Sequence, residues 1–181
     1  YSLGYYSNFY KNDSLYKKNI DLLKSSGAKM IEIKQLNIPL TGFRKLLDED
    51  MRIDLVKYFK SYGNKDLLVN DIKSIIEYNS LDSITRSPYG QGIIRSIIND
   101  TLSSSSLKSL KEKLSKNGNK FFDSAFDKYK IDAVVSINNF HAAHAAVAHN
   151  PCLTVPMGFN SGNQPAAVSY THLRAHETDI N

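Results

Sequence analysis

An α/β fold, with helices packed on a mixed sheet, is predicted for this chain of 181 residues. Three patterns predict it. Residues 15–33 read as an amphipathic helix, a glycine turn and an alternating strand. Residues 132–165 read as a buried strand, a polar loop, a helix of small residues, a second buried strand and a Pro-Met-Gly turn. Between these two stretches run several segments with apolar residues at helical spacing.

Residues 2–6 read as a strand feeding a loop that carries Asn8, Lys11 and Asn12. Asp13 or Ser14 caps the helix that follows, by accepting from free backbone N–H groups. Leu15, Leu22 and Leu23 are expected on its inner side. Gly27 stands where a helix C-terminus wants a positive φ. Residues 29–33 (KMIEI) alternate like a strand, and a strand–helix–strand unit predicts a parallel pair. A helix follows over residues 43–61. Its residues Phe43, Leu47, Met51, Leu55, Tyr58 and Tyr62 fall on one face, which is expected to be the covered one. Asp48, Glu49, Asp50 and Asp54 are read as acids favourable to the helix start and as a solvated face, not as paired catalytic carboxylates. A third helix spans residues 70–78 with Ile72, Ile75 and Ile76 inward. Tyr89-Gly90-Gln91 opens another, with Ile93, Ile94, Ile97 and Ile98. From the serine run at 103–106 one long helix is expected to reach Tyr129, with a kink possible at Gly118. Residues 133–137 and 152–155 are then expected as interior strands. Five alanines from Ala142 to Ala148 make a helix small enough to lie against a sheet, and Pro151 ends it. No internal repeat and no domain boundary is visible before residue 168.

Composition excludes several classes. With 41% hydrophobic and 23% charged residues, the chain is of globular type. The net charge of +5 comes mostly from lysines spread along helices. A nucleic-acid footprint would cluster Arg and Lys with aromatics, so no nucleic-acid partner is expected. No apolar run approaches a membrane helix. The lone Cys152 lies in an apolar strand and is expected as a small buried hydrophobe. His141, His144 and His149 are close in sequence, yet no acidic or thiol partner completes a zinc set, so no metal and no cofactor is expected. His172 and His176 share a metal-like spacing and are given no weight. The chain starts at Tyr1 rather than Met, so its natural N-terminus is read as missing. The compartment is left unknown, the cytoplasm slightly favoured.

The string SINNFHAAHAAVAHNPCLTVPMGFNSGNQP resembles the C-terminal signature of the amidase signature family. Pro151, Thr154, Val155, Pro156, Gly158, Gly162 and Pro165 fall on its pattern. Earlier strings also resemble the family: LLKSSGAKMIEI at 22–33, LLDEDMRIDLVKYF at 46–59, DLLVNDIKSIIEYN at 66–79 and YGQ at 89–91. The resemblance implies an α/β fold and a hydrolase acting on carboxamides. In that family a serine attacks, and a second serine in a cis peptide relays its proton to a lysine. The chemistry needs a base in reach of the alcohol and backbone donors around the oxyanion. No Gly-Gly-Ser-Ser-Gly-like stretch occurs here, and all the matched strings are of the part downstream of the nucleophile. No catalytic residue is therefore assigned, and this chain alone is expected to be inactive.

What remains is substrate contact. Loops at strand ends receive ligands in open α/β sheets, which makes Ser136, Asn138 and Asn139 candidates for binding an amide. The asparagines serve equally well as turn residues. Residues 168–178 (VSYTHLRAHET) resemble one translated frame of a sequencing-library adapter. The expected organisation is thus the C-terminal part of an amidase domain over 1–167, then an artificial tail over 168–181 that adds nothing to folding. The competing reading is a non-catalytic α/β binding or regulatory domain.

Overall fold

The computed structural model describes residues 1–64, 66–99 and 101–172, apart from the side chain of Asn99. The chain runs β1 (Ser2–Tyr6), α1 (Ser7–Asn12), α2 (Ser14–Ser25), β2 (Lys29–Ile33), α3 (Phe43–Tyr62), α4 (Ile72–Ser80), α5 (Ser83–Arg86) and α6 (Gly92–Asn99). It continues with α7 (Ser104–Tyr129), β3 (Ala133–Ile137), α8 (Ala142–Ala148), β4 (Cys152–Phe159) and β5 (Pro165–His172). The chain divides into two compact units, Tyr1–Leu40 with the chain from Lys113 on, and Thr41–Glu112. No shift of composition marks these boundaries, because α7 carries one helical pattern from the second unit into the first.

The first unit is an α/β sandwich around a mixed sheet of order β2-β1-β3-β5-β4. β1 pairs parallel with β2 and with β3, whereas β5 pairs antiparallel with β3 and with β4. The predicted parallel unit is present. Asp13 Oδ1 accepts from the Tyr16 N–H at 2.7 Å and so caps α2. Gly27, at φ +92°, takes the left-handed turn after it. Successive residues of β1 and β3 feed opposite faces. Tyr5, Val135 and Ile137 pack under Tyr16 and Ile20 of α2. Tyr6 and Val134 pack under Phe121, Phe122 and Phe126 of α7 and Ala145 and Ala148 of α8. Small residues let α7 and α8 touch. A Cβ on Gly118 would lie 2.7–2.9 Å from Val147 Cγ2, the His144 carbonyl oxygen and the Ala148 nitrogen. Gly118 is therefore the crossing point of two helices, inside one unbroken helix.

Several expectations change. Asn8, Lys11 and Asn12 belong to helix α1 rather than a loop. On α2 the buried residues are Tyr16 and Ile20, while Leu22 is exposed. Residues 152–155 are not an interior strand. They begin β4 at the sheet edge, where Leu153, Val155 and Cys152 are all exposed. Pro156 explains the placement, since a residue without an N–H is tolerated at an edge. The largest change is β5. Residues 168–172, expected to lie outside the fold, occupy an inner position between β3 and β4, and Val168, Ser169 and Thr171 are buried. Their polarity is satisfied internally. Ser169 Oγ donates to the Asn138 carbonyl at 2.6 Å and lies 3.0 Å from Thr154 Oγ1, and Thr171 Oγ1 lies 3.5 Å from Cys152 Sγ. Residues 173–181 lie outside the described residues.

In the second unit, Ile72, Ile76 and Ile97 form a small core with Leu55 and Ile94. The face of α3 predicted inward is largely exposed at Leu47, Met51, Tyr58 and Tyr62, whereas Asp48 and Glu49 are buried. Partners make this possible. Arg44 Nε lies 2.8 Å from Asp48, Arg52 lies 2.6 Å from Glu49, and the Leu102 N–H donates to Glu49 Oε1 at 2.7 Å. A carboxylate so held is not a solvated surface acid, and losing its partners would leave a buried charge uncompensated. Asp50 and Asp54 do reach the surface, paired with Lys111 and Lys57 at 2.8 Å each.

Candidate functional site

From β1 the chain turns toward β2, and from β3 it turns the other way toward β4. The ends of β1 and β3 are therefore a topological switch point, where an open α/β sheet forms a crevice. Tyr6 ends β1 there. Ser136, Ile137, Asn138, Asn139, Phe140 and His141 lead from β3 into α8.

The three candidate residues divide by role. Ser136 is 2% exposed, and its Oγ lies 2.7 Å from Nδ1 of His141. Asn138 takes φ +48°, a conformation asparagine tolerates better than most residues. Its Oδ1 accepts from the Ala167 N–H at 2.9 Å, and its own N–H donates to the Ala167 carbonyl at 2.7 Å. Asn138 thus clamps the end of β3 to β5, as a turn residue does. Asn139 is exposed, and its carbonyl accepts from the Ala142 N–H at 3.1 Å at the start of α8. The structure brings Ser136 and Asn138 into hydrogen-bonded frameworks and leaves the Asn139 side chain at the surface.

His141 takes a place that the sequence alone did not assign to it. Its ring sits among aromatics, with centroids 4.5 Å from Tyr6, 5.0 Å from Phe121 and 5.8 Å from Phe9. Burial, and then His144, lowers its pKa to about 4. It is uncharged at neutral pH. The neutral ring carries one N–H and one lone pair, so Ser136 can meet either tautomer at Nδ1. Nε2 is buried without a partner. His144 stacks on Phe121 at 4.2 Å and donates from Nε2 to the Ile38 carbonyl at 2.9 Å, leaving Nδ1 buried and unpartnered. His149 instead ends α8 in the left-handed conformation, at φ +58° and exposed. Among the described residues no three of His, Cys, Asp and Glu come together as a metal set. No described helix is long and apolar enough to cross a membrane.

The Ser136–His141 contact has the atoms of a nucleophile and base. Both groups are closed off from solvent, and no third group orients the imidazole through Nε2. A nucleophile must reach its substrate. The contact therefore fixes the loop after β3 and presents no attacking oxygen. The sequence signal that pointed to this cluster was the small-residue helix beginning with two histidines three apart.

Known proteins share this fold. A solved amidase family protein from Bacillus anthracis str. Ames superposes over 95% of this chain at a TM-score of 0.82 and 24% identity. A bacterial aryl acylamidase of the amidase signature enzymes does so over 96% at a TM-score of 0.58 and 12% identity. The sheet and helices are part of the amidase signature fold. In sequence, the chain is 27% identical over 183 aligned residues to a probable amidase of Arabidopsis thaliana, which covers 94% of this chain. It spans 35% of that relative, and 34% and 40% of the two solved amidases. No protein-family model matches the chain. The match to amidase signature proteins is thus a match to about a third of them.

Proposed function

We propose that this chain is the C-terminal part of an amide-bond hydrolase of the amidase signature type, whose intact form acts on a small-molecule amide. The observation that carries the reading is the 27% identity to a probable amidase across 94% of this chain. The fold likeness agrees with it. On this reading, the serines and lysine that the family uses lie in the portion that this chain does not match. Here Ser136 is buried against an imidazole that has no orienting partner, so Ser136 is held as part of the loop and not as an attacking alcohol. Its contribution is the floor and rim of a crevice. Asn139 offers an exposed carboxamide that can donate to and accept from an amide substrate, while Ser136 and Asn138 hold the loop that presents it.

The test is an assay of the 181-residue chain on simple aromatic and aliphatic amides. No turnover is expected from the chain alone. Turnover should appear on co-expression with the polypeptide encoded upstream in the same frame, and Asn139→Ala should then raise KM more than it lowers kcat. Turnover by the chain alone, abolished by a serine-directed inhibitor, would overturn the reading.

A further inference from the structure

We propose that the outward apolar face of α3 pairs with the same face of a second copy of this chain, the two helices lying antiparallel about a two-fold axis. Leu47, Met51, Tyr58 and Tyr62 make this face and are 49%, 50%, 58% and 79% exposed. At about 3.6 residues per turn they fall within an arc of roughly 60° on one side of the helix. The rings of Tyr58 and Tyr62, with centroids 5.5 Å apart, form one continuous surface. Apolar residues scattered singly over a surface need no partner, but a contiguous patch marks an interaction site.

The helix cannot roll to hide this patch. Its rotation is set from the inward side by Glu49, which is 1% exposed and takes both Arg52 at 2.6 Å and the Leu102 N–H at 2.7 Å. Turning Met51 and Tyr58 inward would draw Glu49 off these partners, and a carboxylate stripped of its partners is costly. The apolar face therefore stays outward within this chain, and its cover has to come from another molecule.

The pattern selects a second copy. Leu47 and Met51 stand one turn apart, Tyr58 and Tyr62 stand one turn apart, and the two pairs lie symmetrically about a point between Asp54 and Leu55. A two-fold axis at that point sets Met51 opposite Tyr58 of the second copy and Leu47 opposite Tyr62 of the second copy, and each contact occurs twice. A thioether against an aromatic ring is a favourable pair. Charge agrees with the direction. Along one flank of the face Asp50 and Asp54 come before Lys57, and Asp54 already holds Lys57 at 2.8 Å. Antiparallel pairing brings Asp54 of each copy toward Lys57 of the other, whereas parallel pairing would set Asp54 against Asp54. Exposed ion pairs of this kind fix direction more than affinity. The four side chains expose on the order of 500 Å² per copy, so pairing buries about 1,000 Å² in all, the lower bound of a specific interface. The dimer is therefore a weak one, governed by concentration. The inference stands on α3 and does not rest on amide hydrolysis.

The experiment is sedimentation equilibrium of the 181-residue chain over a concentration series, with far-UV circular dichroism on every sample. All samples carry Leu153→Lys, so that the exposed apolar side chains of β4 do not contribute. A monomer–dimer equilibrium is expected. Met51→Lys and Tyr58→Asp should each weaken the dimer about tenfold or more, because a change in a two-fold interface acts twice. Mixed in equal amounts, the two variants should form a heterodimer. Position 51 of one then meets position 58 of the other as a lysine–aspartate pair, and the remaining contact is still Met51 with Tyr58. Met51→Asp mixed with Tyr58→Lys repeats the test with the charges exchanged, and decides it if a variant of the first pair loses its helical signal. A chain that stays monomeric at every concentration would leave the face to a different protein and overturn the proposal. A dimer indifferent to Met51→Lys and Tyr58→Asp, or mixtures that associate no more than their components, would overturn it as well.

Discussion

β4 and β5 are adjacent strands of eight residues each, and their chemistry and burial run in opposite directions. β4 carries Leu153, Val155 and Phe159, which are 63%, 38% and 66% exposed. β5 carries Ser169 and Thr171, which are 5% and 2% exposed. Position in the sheet, not hydropathy, decides. Over residues 168–171 β5 has a partner on both sides, so its backbone is paired there and its side chains meet those of β3 and β4. β4 has a partner on one side only among the described residues. A hydroxyl can be buried at little cost when another hydroxyl or a carbonyl meets it, and the contacts of Ser169 with Asn138 and Thr154 are of that kind.

Deletion puts this difference under the greatest load. A chain ending at Ala167 loses residues 168–172, and with them the shared partner of β3 and β4. The expected cost is more than about 5 kcal/mol, comparable to the whole stability of many domains. Cooperative unfolding in urea should vanish. If the chain ending at Ala167 melted like the full chain, β5 would not be an inner strand.

Next comes a single buried charge. Val168→Asp sets a carboxylate where Ile137 and Val155 pair with residue 168 and where Tyr5, Tyr16 and Met157 share its core. A loss of about 3–5 kcal/mol is expected, the range of a buried charge left unpaired. Denaturant midpoints measure it.

The α/β class, the β1–α2–β2 unit, the long α7 and the strand at 133–137 were legible because each shows a regular period between recognisable stops such as Asp13, Gly27 and Pro151. β5 was missed because its resemblance to an artificial string drew attention from its β-forming Val168, Tyr170 and Thr171. The edge placement of β4 had a signal that went unused, namely Pro156. The burial of Asp48 and Glu49 was not legible, since their partners Arg44 and Arg52 look like ordinary surface pairs until Leu102 arrives from a distant segment. At the candidate site, the loop was legible but the tie between Ser136 and His141 was not. It depends on the loop geometry that Asn138 sets with a positive φ.

A pH series sharpens the comparison, because His141, unlike the hydroxyls of β5, is buried with one polar atom unpartnered. Its folded pKa is lowered to about 4, chiefly by burial, from the ordinary value of 6.5. The unfolded chain therefore binds the proton more readily between those values. Its contribution is fully present above about pH 6.5, falls as pH drops toward 4 and levels off below it. The full loss, reached well below pH 4, should be about 3–4 kcal/mol. His141→Asn keeps a polar atom near Nδ1 for Ser136 and removes the titration. It should flatten urea midpoints between pH 6.5 and 4.5 relative to the parent chain.

A smaller effect tests whether the hydroxyl pairs are what permit polar residues inside the sheet. Ser169→Ala removes the donor to the Asn138 carbonyl and the neighbour of Thr154 Oγ1. The expected cost is about 1 kcal/mol. Adding Thr154→Val should cost less than the sum of the two single changes, because the second hydroxyl has already lost its partner. Full additivity in urea titrations would show that the two hydroxyls do not act together.

The smallest change in stability is expected on β4, where an effect on association replaces it. Leu153 is 63% exposed on a strand whose outer edge pairs with nothing among the described residues. Leu153→Lys should alter the unfolding free energy by no more than about 0.5 kcal/mol, the usual range for surface positions. An unpaired edge with apolar side chains invites another strand, and a lysine there discourages one. Sedimentation velocity over a concentration series should therefore show the parent chain associating and Leu153→Lys associating less. Two results separate the causes. A stability loss well above 1 kcal/mol would mean that Leu153 is packed and that β4 is not an open edge. Unchanged association with unchanged stability would mean that the edge is open but that its apolar side chains do not drive contact, leaving the exposed residues of α3, Leu47, Met51, Tyr58 and Tyr62, as the surface that does.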